Sequence, residues 1–150
     1  METNTPPHFK LQEVVERSGL SEHTLRYYER IGLLNRVERD RSSGHRRYTA
    51  EDVQKIETLA CLRTTGMSIE DMRRYFAQLK DGKAAAEQQL ALFEAQRNAL
   101  EQELAQKHQH LRYLEQKVAF WKAVQNGDDA QAEEIGKIAT GLAQQIINNK

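Results

Sequence analysis

Within Thr24-Leu25-Arg26-Tyr27-Tyr28-Glu29 a hydroxyl, a guanidinium, two phenols and a carboxylate fall together, and Ile31-Gly32-Leu33-Leu34 follows directly. On a helix, His23, Tyr27 and Arg30 share one face, Thr24 and Arg26 flank it, and Leu25 and Tyr28 point elsewhere as anchors. Such a surface suits the major groove of duplex DNA. Phosphates take the helix N-terminal amides and a tyrosine hydroxyl, while arginine forks onto guanine or phosphate. Ser21 and His23, at the start of this helix, join the same candidate DNA-facing set. Taken alone, the same residues also describe a plain amphipathic helix with solvated arginines.

The elements that would hold this helix can be read from caps and breakers. Phe9, Leu11, Val14 and Val15 open a short helix ending near Ser18-Gly19. Ser21 caps a second, from Glu22 to about Ile31, which Gly32 terminates. Helix, glycine-containing turn, helix is the helix-turn-helix pattern. Leu20 and Leu25 pack the second helix on the first, with Ile31 closing its end. From Val37 to Tyr48 the chain is charged, lacks aliphatic periodicity and is broken by Ser42-Ser43-Gly44, which predicts a two-stranded hairpin. Thr49 opens a third helix with Asp52 completing a capping box, and Val53, Ile56, Leu59 and Ala60 form its apolar face. Gly66 ends it. Ser68 caps a fourth helix carrying Ile69, Met72, Tyr75, Phe76 and Leu79.

Asp81-Gly82 marks a change of pattern. From about Ala84 to Ala123, Leu90, Phe93, Arg97, Leu100, Leu104, Lys107, Leu111, Leu114, Val118 and Trp121 alternate spacings of three and four. At ~1.5 Å per residue this helix is on the order of 55–60 Å long, too long to bury its stripe against a small head. A second copy of the chain is the simplest cover. Arg97 and Lys107 on the seam would stack like charges in a parallel pair, so the strands are expected to run antiparallel. Asn126-Gly127-Asp128 ends the helix, and Ile135, Ile138, Leu142 and Ile146 predict a short terminal amphipathic helix. The expected fold is mainly α: a winged helix-turn-helix head, residues 8–80, with a small β-hairpin wing, then a dimerising coiled-coil helix, 81–124. A disordered tail, 1–7, precedes the head, and a short amphipathic helix or tail, 125–150, follows the coil.

Lysine plus arginine equal aspartate plus glutamate at 22 each, so net charge is zero and bulk electrostatics do not decide the partner. The distribution does. Arginines at 26, 30, 36, 39, 41, 46 and 47 face only Glu29, Glu38 and Asp40 across that stretch, the charge footprint of a small nucleic-acid-binding module. A single cysteine, Cys61, excludes an intramolecular disulfide. No apolar run reaches bilayer length and Met1–Pro7 has no signal-peptide core, so no membrane association and a cytoplasmic location are expected.

Glu13-Val14-Val15, Gly19-Leu20-Ser21, Thr24 to Glu29, Gly32-Leu33-Leu34, Gly44-His45-Arg46-Arg47-Tyr48 and Thr64-Thr65-Gly66-Met67-Ser68-Ile69 follow one another in fixed order. Together they resemble the MerR family over about the first eighty residues; His45 stands where the family's wing usually has tyrosine. The resemblance implies DNA contacts from Thr24, Arg26 and Tyr27 on the recognition helix, from Arg46 and Tyr48 on the wing, and from Arg63 in the turn after the third helix. It implies a homodimer on double-stranded promoter DNA at a palindromic site. There the spacer is untwisted and bent so that RNA polymerase reads both promoter elements.

Cys61 lies well off the apolar centre of the third helix, beside Gln54, Glu57 and Thr58, so it faces solvent or another element. It is either a small residue filling an inter-helix gap or a sensor thiol attacked by an electrophile. The segment Ile56-Glu57-Thr58-Leu59-Ala60-Cys61-Leu62-Arg63-Thr64-Thr65-Gly66 resembles the AdhR/NmlR-type subgroup, which implies effector sensing at Cys61 under aldehyde or nitrosative stress.

Other chemistry fares worse. His108 and His110 are two apart on a helix, so their rings diverge, and the cysteines of metal-sensing relatives are missing; no metal and no cofactor are expected. Tyr113, Phe120 and Trp121 at heptad spacing read as packing rather than a ligand pocket. No nucleophile–base pair or phosphate loop stands out, so an enzyme is not expected. A structural coiled-coil adaptor would explain the heptads but not the arginine-rich helix and wing.

Overall fold

The computed structural model describes residues 7–149. The expected tail therefore lies outside the described residues except for Pro7. The chain divides into two compact units, one running to Phe93 and one beginning at Glu94.

In the first unit, α1 (Leu11–Ser18) and α2 (Glu22–Arg30) form the helix-turn-helix, joined through Gly19 at φ 71°. Each boundary has a local cause. The Ser21 hydroxyl accepts the Thr24 N–H at 3.1 Å and starts α2. Gly32, at φ 79°, sits just past its end. β1 (Glu38–Arg39) and β2 (Arg46–Arg47) pair antiparallel in the register Glu38↔Arg47 and Arg39↔Arg46. α3 (Ala50–Thr64) opens with the reciprocal Thr49–Asp52 bonds at 3.1 and 2.9 Å. α4 (Ile69–Gln78) is capped by Ser68, whose hydroxyl accepts the Asp71 N–H. The core gathers one face from each element: Val14, Leu25, Tyr28, Val53, Ile56, Leu59 and Met72, with Leu33, Leu34 and Val37 from the segment between α2 and the wing. Arg73 of α4 donates to the Ile31 carbonyl, fixing the C-terminal end of α2 from a second side.

Two departures from the sequence reading occur here. Phe9 is not helical: α1 starts at Leu11, and Phe9 forms an antiparallel bridge with Tyr48, its N–H donating to the Tyr48 carbonyl at 2.8 Å and its carbonyl accepting in return at 3.0 Å. The wing thus gains a third, one-residue edge. The terminal helix is also not short.

A 3₁₀ segment, Leu79–Ala85, with Gly82 bent to φ 48°, ψ −120°, leads into α5 (Ala86–Gln125), a helix of 40 residues. In the second unit α5 turns at Gly127 (φ 72°) into α6 (Asp129–Asn148), 20 residues long and capped by Asp128. Ala123, Ala132 and Ala139 are buried where the two helices meet, and Asn149 Nδ2 donates to Gln109 Oε1 at 3.4 Å, so α6 runs back along α5. The expected seam is exposed: Leu100, Leu104, Leu111, Leu114, Val118 and Trp121 all stand open along α5. No helix among the described residues is long and apolar enough to cross a membrane.

Candidate nucleic-acid interface

α2 presents its outer face as the spacing predicts. Ser21, His23, Arg26 and Tyr27 are exposed, Thr24 half-buried, and Leu25 and Tyr28 buried beneath them. The N-terminal end is pre-ordered. Ser21 Oγ lies 2.9 Å from Thr24 Oγ1, and the exposed Arg63 at the end of α3 donates to the same Thr24 oxygen at 3.4 Å. Ser21, Thr24 and Arg63 are thereby brought to one spot beside the helix N-terminus, where free amides and the helix dipole favour an anion. Arg26 pairs with Glu22 one turn earlier, both well exposed. Such a pair holds weakly in water and exchanges readily for a phosphate. The Arg30 guanidinium lies 5.7 Å from the Tyr27 ring centroid and steadies that ring.

Beside this face is an open recess lined by His23, Arg26, Glu29, Arg30, Arg36 and Arg46, four arginines against one carboxylate. Arg30 takes the place beside His23 and Tyr27 that helical spacing gives it, whereas Arg36 is marked in the sequence only by its place in the Arg26–Arg47 cluster.

The wing corrects one expectation and refines another. Tyr48 is not at the surface. Its side chain is wholly buried in the core and so is not part of the exposed face. The reason is strand alternation: Arg47 points outward, and the next residue must point in. The Tyr48 hydroxyl is itself buried without a hydrogen-bond partner among the described residues. The Arg46 side chain is mostly buried and is ion-paired to Glu29 at 2.9 Å. The open cations of the wing are Arg39 and Arg41, with His45 beside them.

Between the strands, Asp40 Oδ1 accepts from the Ser42 hydroxyl at 2.6 Å and from the Ser42 and Ser43 amides at 2.9 and 3.0 Å. Those bonds, the Ser42 hydroxyl foremost, hold the Asp40 carboxyl well below the usual carboxylate range. Gly44, at φ 73°, closes the turn.

Cys61 is exposed on α3, so it fills no gap within the single chain. His108 and His110 are both exposed on α5, and no cluster of three metal-ligating side chains occurs among the described residues.

A family model described as MerR HTH family regulatory protein matches residues 9–79. The crystal structure of HiNmlR, described as a MerR family regulator lacking the sensor domain and bound to promoter DNA, superposes with a TM-score of 0.70 at 34% identity, covering 86% of this chain and 96% of that one. An uncharacterised HTH-type transcriptional regulator of Haemophilus influenzae is 35% identical over 84% of this chain and 93% of its own length. The regulator AdhR of Bacillus subtilis is 40% identical, but over 51% of this chain and 54% of its own length. Both matched head and matched full length lead to the same place: this chain belongs to the MerR family of helix-turn-helix transcriptional regulators and is related to its AdhR/NmlR-type, single-cysteine subgroup.

Proposed function

We propose that the protein is a cytoplasmic, dimeric regulator that binds a palindromic promoter site through α2 and the wing and activates transcription by distorting the spacer DNA for RNA polymerase. The observation that carries this reading is a basic helix-turn-helix head joined to a 40-residue helix whose apolar seam is open along its length. The seam calls for a second copy, and its Arg97 and Lys107 favour an antiparallel one. Two heads at opposite ends of such a coil match two half-sites. The likeness to a relative solved on promoter DNA supports the partner.

In this reading Ser21, His23, Thr24, Arg26, Tyr27 and Arg63 form the DNA face, and Arg46 acts from the wing. Cys61, exposed on the helix that carries Arg63 in its last turn, is the effector site: its sulfur adds to the carbonyl carbon of an aldehyde as the C=O π bond opens, and the carbonyl oxygen takes up a proton to give a hemithioacetal. The test has two stages. Binding to a palindromic promoter fragment should fall steeply with salt yet keep its preference over scrambled DNA. An adaptor would show no preference. In vitro transcription from that promoter should then rise with aldehyde for the native protein and stay flat for Cys61→Ser; equal induction of both removes Cys61 from the mechanism.

A further inference from the structure

Glu29 sits in the last turn of α2, and nothing in the DNA face above uses it. Its side chain is only 20% exposed, and its two oxygens address the two strands of the wing separately. Oε1 accepts the N–H of Val37, the residue before β1, at 3.3 Å. Oε2 lies 2.9 Å from Arg46 Nη1, at the start of β2. The Arg46 side chain is 15% exposed, and Nη1 is shielded from solvent with this carboxylate as its ion-pair partner rather than an aligned hydrogen bond. The strands themselves pair over two residues each. A hairpin that short does not hold its own orientation. The recognition helix supplies what the hairpin lacks.

We propose that Glu29 is a positioning residue: one carboxylate ties both strands of the wing to the recognition helix, the first at its base through Val37 and the second beside the turn through Arg46, so that helix and wing meet duplex DNA as a single rigid surface. The chemistry needs a carboxylate, which accepts at both oxygens and carries the charge to balance Arg46. A glutamine offers one acceptor, and its amide would face either the Val37 N–H or the Arg46 guanidinium donor to donor.

The inference rests on the proposed promoter binding, and the two can fail separately. A solvated carboxylate in a basic recess would repel DNA, so removing it should tighten binding to every duplex. A clamp predicts the opposite sign. The Kd of Glu29→Gln is measured for the palindromic fragment and for scrambled duplex of equal length, over a range of salt. Expected is a weakening of about tenfold for the palindrome, with scrambled DNA and the salt slope changed little. Combined with Arg46→Met, Glu29→Gln should add almost nothing, because with the guanidinium gone the glutamine oxygen can still accept the Val37 N–H and its amide faces no donor. In hydrogen exchange on the free protein, the Val37 amide should lose protection while the Ile56 and Leu59 amides keep theirs.

Unchanged or tighter palindrome binding by Glu29→Gln overturns the clamp. Native protein that does not prefer the palindrome overturns instead the promoter reading on which it rests. If Glu29→Gln does not fold, Glu29→Asp, charged but one methylene short of both partners, carries the same comparison.

Discussion

Leu114 gives the sharpest test of the open seam. Its side chain is 58% exposed on α5, with Leu111 at 52% and Trp121 at 63% on the same stripe. Fully burying a leucine is worth about 1.5–3 kcal/mol, so covering the remaining part of Leu114 contributes roughly 1–1.7 kcal/mol per copy. A symmetric dimer counts the residue twice, for about 2–3.5 kcal/mol. Leu114→Gln should therefore weaken the dimer Kd on the order of 30- to 300-fold. Sedimentation equilibrium over a concentration series reads this directly. Ellipticity at 222 nm on the same samples reports whether α5 loses helix as it loses its partner. Gln102→Ala, off the stripe, is the control and should leave Kd where it was. A Leu114→Gln dimer within threefold of the native Kd would refute the reasoning, because the seam would then not be the covered surface.

Tyr48→Phe should leave the melting temperature unchanged or slightly raised, since it removes a buried hydroxyl without a hydrogen-bond partner among the described residues. Its affinity for the promoter fragment should stay within twofold; a larger loss in a folded variant would return the hydroxyl to the DNA face. In α6, Gly141 has nothing within 4 Å of an added Cβ, and at Gly136 the nearest atom is Phe120 Cε2 at 3.5 Å, an ordinary contact. Alanine at either site should stabilise the helix pair by about 0.5–1 kcal/mol in denaturant titrations, and destabilisation would show a tighter contact than described. Asp40 is ionised more readily folded than unfolded, so its contribution to the wing turn is present above the usual carboxylate range. That contribution is lost only as pH falls below that range. Ser42 and Ser43 amide protection, followed by exchange down through the ordinary carboxylate range, should persist there in the native protein and be missing in Asp40→Ala.

Where local chemistry decides structure, the sequence was readable. Ser21, Thr49 and Ser68 are short polar side chains just before apolar periodicity, and each caps the helix it precedes. The wing was readable for the same reason, because Ser42-Ser43-Gly44 offers short polar side chains and a glycine free to take positive φ, the residues a tight turn favours. The seam followed from its period. What escaped was set by contacts distant in sequence. Tyr48 ends an arginine-rich hairpin and reads as surface until Phe9, far upstream, is found paired to it. Glu29 reads as one more solvated helix charge, because nothing within its own turns says that Val37 and Arg46 fold back over it. The family motif places Arg46 on DNA, yet its side chain is only 15% exposed and its guanidinium is paired to Glu29. α6 exceeds the stripe from Ile135 to Ile146 that announces it, because the Asp128 cap starts the helix well before its first large apolar residue.

The bridge between Phe9 and Tyr48 has a consequence for how the head assembles. It closes a loop of roughly forty residues, so the entropy of bringing those ends together is spent before the wing has its third edge. α1 and α2 can form from neighbours in sequence; the wing must wait for its upstream partner. The segment entering α1 is thus the last stitch in the head, and the wing matures on its timetable. A chain shortened past Phe9 should fold its helices at the normal rate and leave the wing, read at amides such as that of Asp40, less protected.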